Sequence, residues 1–225
     1  MGSNYKINYN VDIVFCIDAT GSMDHIIDIV KNNAMNFHDD LMSMMKKKQK
    51  TVQKLRVRIV AFKDYLADGE EAMMVTRFFD LPEEKELLRD HVNSITADGG
   101  GDPPEDGYEA LAYAIKSDWD RSGQKSRQVI ALWTDDTAHP LGYGSAAPNY
   151  PKGMARNIEE LTAWWNDDSI IKQQSKRLLL FAPDTPEWSY ISSVWKNCVH
   201  APSRIGEGLR EQDYNTILDT IANSI

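Results

Sequence analysis

Val11-Asp12-Ile13-Val14-Phe15-Cys16-Ile17-Asp18-Ala19-Thr20-Gly21-Ser22 is the stretch from which the fold of this 225-residue chain is read. The run from Val11 to Ile17 is almost wholly apolar and closes on Asp18. A strand with one wet face alternates apolar and polar residues. A near-continuous apolar run instead belongs to a strand covered on both faces, as in a mostly parallel sheet. Beyond it Met23, Ile26, Ile27, Val30, Ala34, Phe37, Leu41 and Met45 recur at three- and four-residue steps, which predicts a helix lying with one face on the sheet. The methionines on that stripe read as core filler rather than as a binding surface.

The same alternation continues to the end of the chain. Leu55–Phe62 reads as a second strand, and Ala72–Phe79 as a third, joined antiparallel through the short Tyr65–Glu71 connection. Helices are expected through Leu87, Leu88, Val92 and Ile95, and through Ala110, Leu111, Ala114 and Ile115 after the turn Gly99-Gly100-Gly101. Gln128–Trp133 is the fourth strand, and Thr137–Lys152 a loop rich in Gly, Pro and Tyr. A helix carrying Met154, Ile158, Leu161 and Trp165 precedes the fifth strand, Leu178–Ala182. A short helix, an edge strand near Val199 and a closing helix from Tyr214 to Ile225 complete the series. The expectation is an α/β fold: a doubly wound, mostly parallel central sheet of about six strands, one of them an antiparallel edge strand, with helices on both faces. Residues 1–10 read as a tail, with Met1-Gly2-Ser3 resembling a cloning remnant, and residues 11–225 as one domain without repeat or linker.

Composition narrows the classes. No apolar run approaches the roughly 18 residues of a membrane helix, and residues 1–6 carry no apolar signal segment. Net charge is −9 and the only basic run is Lys46-Lys47-Lys48, which reads as a helix C-terminus meeting its own dipole. Nucleic acid and anionic membrane are therefore not expected as partners. Cys16 and Cys198, far apart, read as reduced, buried residues of a cytoplasmic protein.

In an open α/β sheet, ligands sit outside the carboxyl ends of the strands. The first strand ends at Asp18, the second at Asp64, the fourth at Asp135 and Asp136, and the fifth at Asp184. Carboxylates delivered to one rim repel one another unless a cation lies among them, which points to a hard metal with oxygen ligands. Thr20 and Ser22 add hydroxyls at alternate positions after Asp18, a donor set suited to Mg²⁺, with Mn²⁺ or Ca²⁺ as alternatives. Taken alone, the same residues also fit a helix N-cap.

Asp18-x-Thr20-x-Ser22 after an apolar strand resembles the metal-ion-dependent adhesion site of von Willebrand factor A domains, whose usual motif has serine where Thr20 stands. Trp133-Thr134-Asp135 matches the family's later aspartate, and Gly206-x-Gly208-Leu209 through Ile225 is similar to its final loop and helix. Phe62-Lys63-Asp64-Tyr65 and Gly99-Gly-Gly-Asp102-Pro-Pro-Glu105-Asp106 are similar to a subgroup that includes hemicentin-like proteins and domains attached to atypical α-kinases. The resemblance spans nearly the whole chain from Val11 and implies a Rossmann-like sheet with a metal held by Asp18, Thr20, Ser22, Glu105 and Asp135. Asp64, Asp102, Asp136 and His139 are expected in a second shell or on the partner surface. Glu105 stands where most members place a metal-facing threonine. An added carboxylate neutralises more of the ion's charge, so metal should bind more tightly while a partner's carboxylate gains less. Charges before a helix also stabilise its N-terminus, the plainer reading of Asp102, Glu105 and Asp106.

The function implied is a cation-dependent protein-interaction module, regulatory or scaffolding in role, and not an enzyme. The alternative is a Mg²⁺-dependent phosphate-ester hydrolase or phosphoryl-transfer enzyme, since carboxylates and Mg²⁺ at such a rim also serve that chemistry. Against it, the chain has no phosphate-binding G-x-x-x-x-G-K loop and no legible Ser–His or Cys–His pairing. His25, His38, His91, His139 and His200 lack zinc-type spacing. Trp165 fits a core stripe, while Trp164 is a candidate for an exposed partner surface.

Overall fold

The computed structural model describes residues 8–101 and 103–225; the expectations placed on residues 1–7 and on Asp102 lie outside them. The elements, in order, are β1 (Asn8–Asp18), α1 (Asp24–Asn33), α2 (Phe37–Lys47), β2 (Thr51–Phe62), α3 (Tyr65–Asp68), β3 (Met73–Val75), β4 (Phe79–Leu81), α4 (Lys85–Asn93) and α5 (Gly107–Ile115). They continue with β5 (Lys125–Trp133), α6 (Ile158–Asn166), β6 (Lys176–Pro183), α7 (Pro186–Val194), β7 (Cys198–Ser203) and α8 (Tyr214–Ser224). One seven-stranded sheet runs β3-β2-β1-β5-β6-β7, with β4 also on β2. β1, β2, β5, β6 and β7 are mutually parallel, and β3 and β4 pair antiparallel with β2.

The parallel, two-sided sheet follows from the apolar strands. In β1 the odd residues Val11, Ile13, Phe15 and Ile17 join the core under α1, α2, α4 and α8. The even residues Val14 and Cys16 join the second core under α5, α6 and α7. Both faces are therefore apolar, and at roughly 25 cal/mol per Å² of buried apolar surface no other placement of these strands competes. Trp133 stacks on Phe181 across β5 and β6 with ring centroids 5.4 Å apart.

Several boundaries differ from expectation, each for a local reason. The strand begins at Asn8, because Asn8 pairs with Thr51 and Tyr9 with Val52 and Lys125; residues 8–10 are sheet rather than tail. The stripe from Met23 to Met45 is split into α1 and α2. Asn33 Nδ2 donates to the Ile29 carbonyl at 2.7 Å and competes with the backbone there, yet the apolar face is kept across the break. The third strand becomes β3 and β4. Thr76 Oγ1 takes the Ile59 N–H at 3.0 Å, a side chain replacing a backbone carbonyl in the ladder. Met154 precedes α6, whose N-cap is Asn157, its side chain accepting from Glu160 N at 2.9 Å. Lys46 and Lys47 close α2, as the dipole argument requires. Cys16 is buried; Cys198 is only half-buried, being on the edge strand, and both are free thiols. His25 lies on α1 and His38 on α2. Trp164 is half-buried, with Lys116 Nζ 3.3 Å from its ring centroid. Among the described residues no helix is long and apolar enough to cross a membrane.

Candidate metal centre

The carboxyl ends of β1, β2 and β5 converge as the sheet rule requires. Asp18 is fully buried at the end of β1. Its Oδ1 accepts from Thr20 N at 2.9 Å and from Thr20 Oγ1 at 2.6 Å, while its Oδ2 accepts from Thr134 Oγ1 at 2.7 Å. Thr134, the residue after β5, closes this arrangement, and along the chain only its place beside Asp135 hints at that role. Burial pushes the Asp18 carboxyl up to about 6, against the pull of the Thr20 and Thr134 hydroxyls.

Asp135 is locked from two sides. Ser22 Oγ donates to its Oδ1 at 2.8 Å, and Gly208 N to its Oδ2 at 2.8 Å. Gly206 N donates to the Asp135 carbonyl at 2.8 Å. Gly208 has φ +62°, and a Cβ there would lie 2.2 Å from the Ser22 carbonyl oxygen, so glycine is required where this loop crosses β1's exit. The loops after β1 and β5 and the loop before α8 are thus tied into one body through Asp135.

Glu105 arrives from the glycine-rich loop. Its N–H donates to the Thr137 carbonyl at 3.1 Å and its carbonyl accepts from His139 N at 2.9 Å, a parallel bridge that fastens this loop to the one after β5. A Cβ at Gly100 (φ +88°) would lie 2.5 Å from the Thr20 methyl and 2.8 Å from Glu105 Oε1. Only glycine lets the chain pass between them. Asp68, unremarked in the sequence, holds that loop by accepting from Gly100 N at 3.1 and 3.2 Å. Glu105 is 5% exposed, and its Oε2 has no hydrogen-bond partner. Burial, and after it the charges of Asp18, Asp64, Asp68 and Asp106, push this carboxyl up to about 10.

The surrounding residues divide by role. Asp64 caps α3, its Oδ1 accepting from Leu66 N at 2.6 Å, and its Oδ2 lies 3.2 Å from His139 Nε2. His139 is buried and stacks on Tyr143, centroids 3.8 Å apart, so it braces Asp64 rather than lining the open rim. Asp136 turns back on its own loop, Oδ1 accepting from Thr137 N at 2.7 Å. Asp184 does not join the group: it is exposed and accepts from Ser189 Oγ at 2.5 Å, because β6 runs straight into the first turn of α7. Beneath the rim, Asp106 accepts from Tyr65 N at 2.7 Å, and burial together with Glu109 pushes its carboxyl up to about 7. Glu109 anchors the long loop through Tyr150 Oη at 2.8 Å and Gly142 N at 3.1 Å.

The donor set fits a hard cation on one condition. Among the described residues no three His, Cys, Asp or Glu side chains cluster closely enough to hold an ion by themselves. The Thr20 and Ser22 hydroxyls, each already bonded to a carboxylate of the group, must supply the remaining oxygens. An orphaned, buried Glu105 oxygen among like charges is the feature a cation would relieve.

Comparisons with known proteins bear on the family and the fold. Over 149 residues the chain is 26% identical to the alpha-protein kinase vwkA of Dictyostelium discoideum; the match covers 66% of this chain but 22% of the kinase. The chain thus spans about a fifth of the curated relative it matches. Among solved structures it is similar to the pilus adhesin SpaC of Lactobacillus rhamnosus GG (TM-score 0.54, 13% identity, 98% of this chain and 31% of that one). It is also similar to a von Willebrand factor type A protein of Catenulispora acidiphila (TM-score 0.54, 15% identity, 96% of this chain and 43% of that one). At such identities the likeness speaks for the fold alone. The sequence profile that matches residues 12–138 is that of the von Willebrand factor A domain, and the chain belongs to that family of protein-interaction modules.

Proposed function

We propose that this domain holds one divalent cation, Mg²⁺ by preference, at the rim formed by Asp18, Thr20, Ser22, Glu105 and Asp135, and uses it to organise a protein-binding surface. The observation that carries the reading is the buried Glu105 oxygen without a partner, packed against the charges of Asp18, Asp64, Asp68 and Asp106. A bound cation would supply positive charge there, and a hard centre to which a partner's carboxylate can add. The chain's own residues fix the oxygens in advance: Thr134 orients Asp18, Gly208 and Ser22 orient Asp135, and the bridge to Ala138 fixes Glu105. Beside the rim, Leu66 on α3 and Tyr143 on the adjoining turn are about half exposed, an apolar shoulder for the partner.

The likeness to part of an alpha-protein kinase supports placing the chain in the kinase-associated subgroup, as a non-catalytic module that positions or regulates an enzyme. Titration calorimetry with Mg²⁺ tests the site. Wild type is expected to bind one ion, Asp18→Ala none, and Glu105→Thr one ion at least about tenfold more weakly, the equivalent of one charge-assisted contact. Unchanged or stronger binding by Glu105→Thr would remove Glu105 from the site. Turnover of a phosphate ester that vanishes in Asp18→Ala would overturn the non-catalytic reading.

A further inference from the structure

The opposite edge of the sheet carries the reverse charge. Lys50 immediately precedes β2, Lys125 and Arg127 open β5, Arg177 opens β6, and Lys172 and Arg121 lie in the loops leading into those strands. The pairings of Tyr9 with Lys125, Val11 with Arg127 and Val129 with Arg177 set these cations side by side. Along β5 they stand roughly 25–30 Å from the carboxylate rim. None of the six makes an ion pair with an Asp or Glu side chain among the described residues, and residues 1–7 contain no Asp or Glu. The guanidiniums lean on main-chain oxygens instead: Arg121 on those of Ser169 and Ile170 at 2.5 and 2.7 Å, Arg127 on that of the last residue, Ile225, at 3.0 Å, and Arg177 on that of Lys176 at 2.6 Å. Burial, and then crowding by Arg127, Lys48, Arg177 and Lys125, holds the Lys50 ammonium below the usual lysine range.

Four of these six, Arg121, Lys125, Arg127 and Lys172, line a cleft of about 570 Å³, with the Ser126 and Ser175 hydroxyls 2.9 Å apart in its wall. Its one carboxylate, Asp168, is engaged by Gln173 N at 2.8 Å. Among the described residues no apolar side chain lines it, so none of them would seat the hydrophobic anchors on which a peptide partner depends. What remains is a concave, polar site of small-ligand size with guanidinium forks and free ammonium groups, the donor types that take up phosphate oxygens.

We propose that this cleft binds an oligophosphate, a ligand presenting two or more adjacent phosphates, independently of the metal rim. The cations come from separate strand starts, which spreads them to meet several phosphates at once. Tripolyphosphate is the first probe, titrated by calorimetry in the presence of chelator so that the metal rim plays no part. Saturable binding is expected, weakening steeply between 50 and 200 mM salt. It is also expected to fall at least about tenfold in Lys125→Ala/Lys172→Ala, whose ammonium groups make no hydrogen bond among the described residues and whose loss should leave the melting temperature unchanged. Absence of saturable binding, or equal affinity in the double variant, would overturn the assignment. So would tighter binding of polyglutamate or single-stranded DNA than of tripolyphosphate. Sedimentation with vesicles carrying phosphatidylinositol bisphosphate separates a lipid headgroup from a free phosphate as the source, and both support the shared chemistry. Equal sedimentation with phosphatidylserine vesicles would reduce the cleft to unspecific charge and refute it.

Discussion

Glu105→Gln isolates the electrostatic strain of the ion-free rim. Glu105 is 5% exposed and its carboxyl is pushed up to about 10, so at pH 7 the folded, cation-free protein holds it protonated, while the unfolded chain, at the ordinary value of 4.5, releases the proton. Holding that proton at pH 7 costs 7 − 4.5 = 2.5 pH units, or about 3 kcal/mol at about 1.4 kcal/mol per unit. The sign follows from linkage. Where the native state binds more protons than the unfolded state, stability falls as pH rises. The penalty is therefore absent below about pH 4.5 and grows until the folded group itself ionises near pH 10. Glutamine has nearly the same shape and carries no such penalty. In chelator at pH 7, Glu105→Gln is expected to be more stable than wild type by up to about 3 kcal/mol, or roughly 6–12 °C in melting temperature. In saturating Mg²⁺ the ionised carboxylate becomes an asset and the order reverses. Thermal melts of both proteins with and without Mg²⁺, at pH 4.5 and pH 7, read this directly. A variant no more stable than wild type in chelator at pH 7 would refute the reasoning, and so would a gain that persists undiminished in Mg²⁺.

Gly208→Ala places a Cβ 2.2 Å from the Ser22 carbonyl at φ +62° and displaces the N–H that holds Asp135. A loss of about 2–3 kcal/mol in urea unfolding together with weaker Mg²⁺ binding is expected, and wild-type values for both would show the loop to be pliant. Lys176 is fully buried, its ammonium donating to the Trp165 carbonyl and lying 4.4 Å from that ring's centroid. Burial lowers it to about 8 from 10.5, Asp168 opposing the shift. Between those values the unfolded chain binds the extra proton, so this residue makes stability rise with pH by up to about 1.4 kcal/mol per unit. The stability of wild type relative to Lys176→Met should therefore rise from pH 8 to pH 10 in chemical denaturation, and parallel curves would contradict it.

The fold is readable where the signal is local and repeated. The apolar runs of β1, β5 and β6 and the stripes of α5 and α8 act within a few residues and agree with the final packing. Reading falters where one side chain intervenes in the backbone. The Asn33 amide breaks a helix whose apolar stripe runs on, and the Thr76 hydroxyl divides a strand whose β propensity does not change. For the rim, the order of Asp18-x-Thr20-x-Ser22, Glu105 and Asp135 carried most of the information. The strand-end rule that placed Asp18 and Asp135 misplaced Asp184, because it fixes where a strand exits and not where the next turn points. Thr134 and Asp68 support the rim through partners more than 30 residues away, Asp18 at a separation of 116 and Gly100 at 32, and no short window along the chain contains both members of either pair.

The same limit explains why the two edges of the sheet differ in visibility. Parallel strands all begin at one edge and end at the other, so residues with the same position in successive strands become neighbours however far apart they lie in sequence. At the carboxyl edge this gathers aspartates that each stand out singly, since an acid closing an apolar run is conspicuous. At the amino edge it gathers Lys50, Lys125, Arg127 and Arg177, each of which looks like ordinary polar flanking of a strand. A search for basic runs finds Lys46-Lys47-Lys48, where Lys48 is half-buried and neutralised by Asp219 at 3.2 Å. It passes over the cations that gather at the strand starts with no Asp or Glu partner among the described residues. With a net charge of −9 the chain as a whole discourages anions, but binding responds to the field within a Debye length, about 8 Å at physiological salt. On that scale the amino edge is cationic, and the acidic rim at the far end of β5 is screened from it.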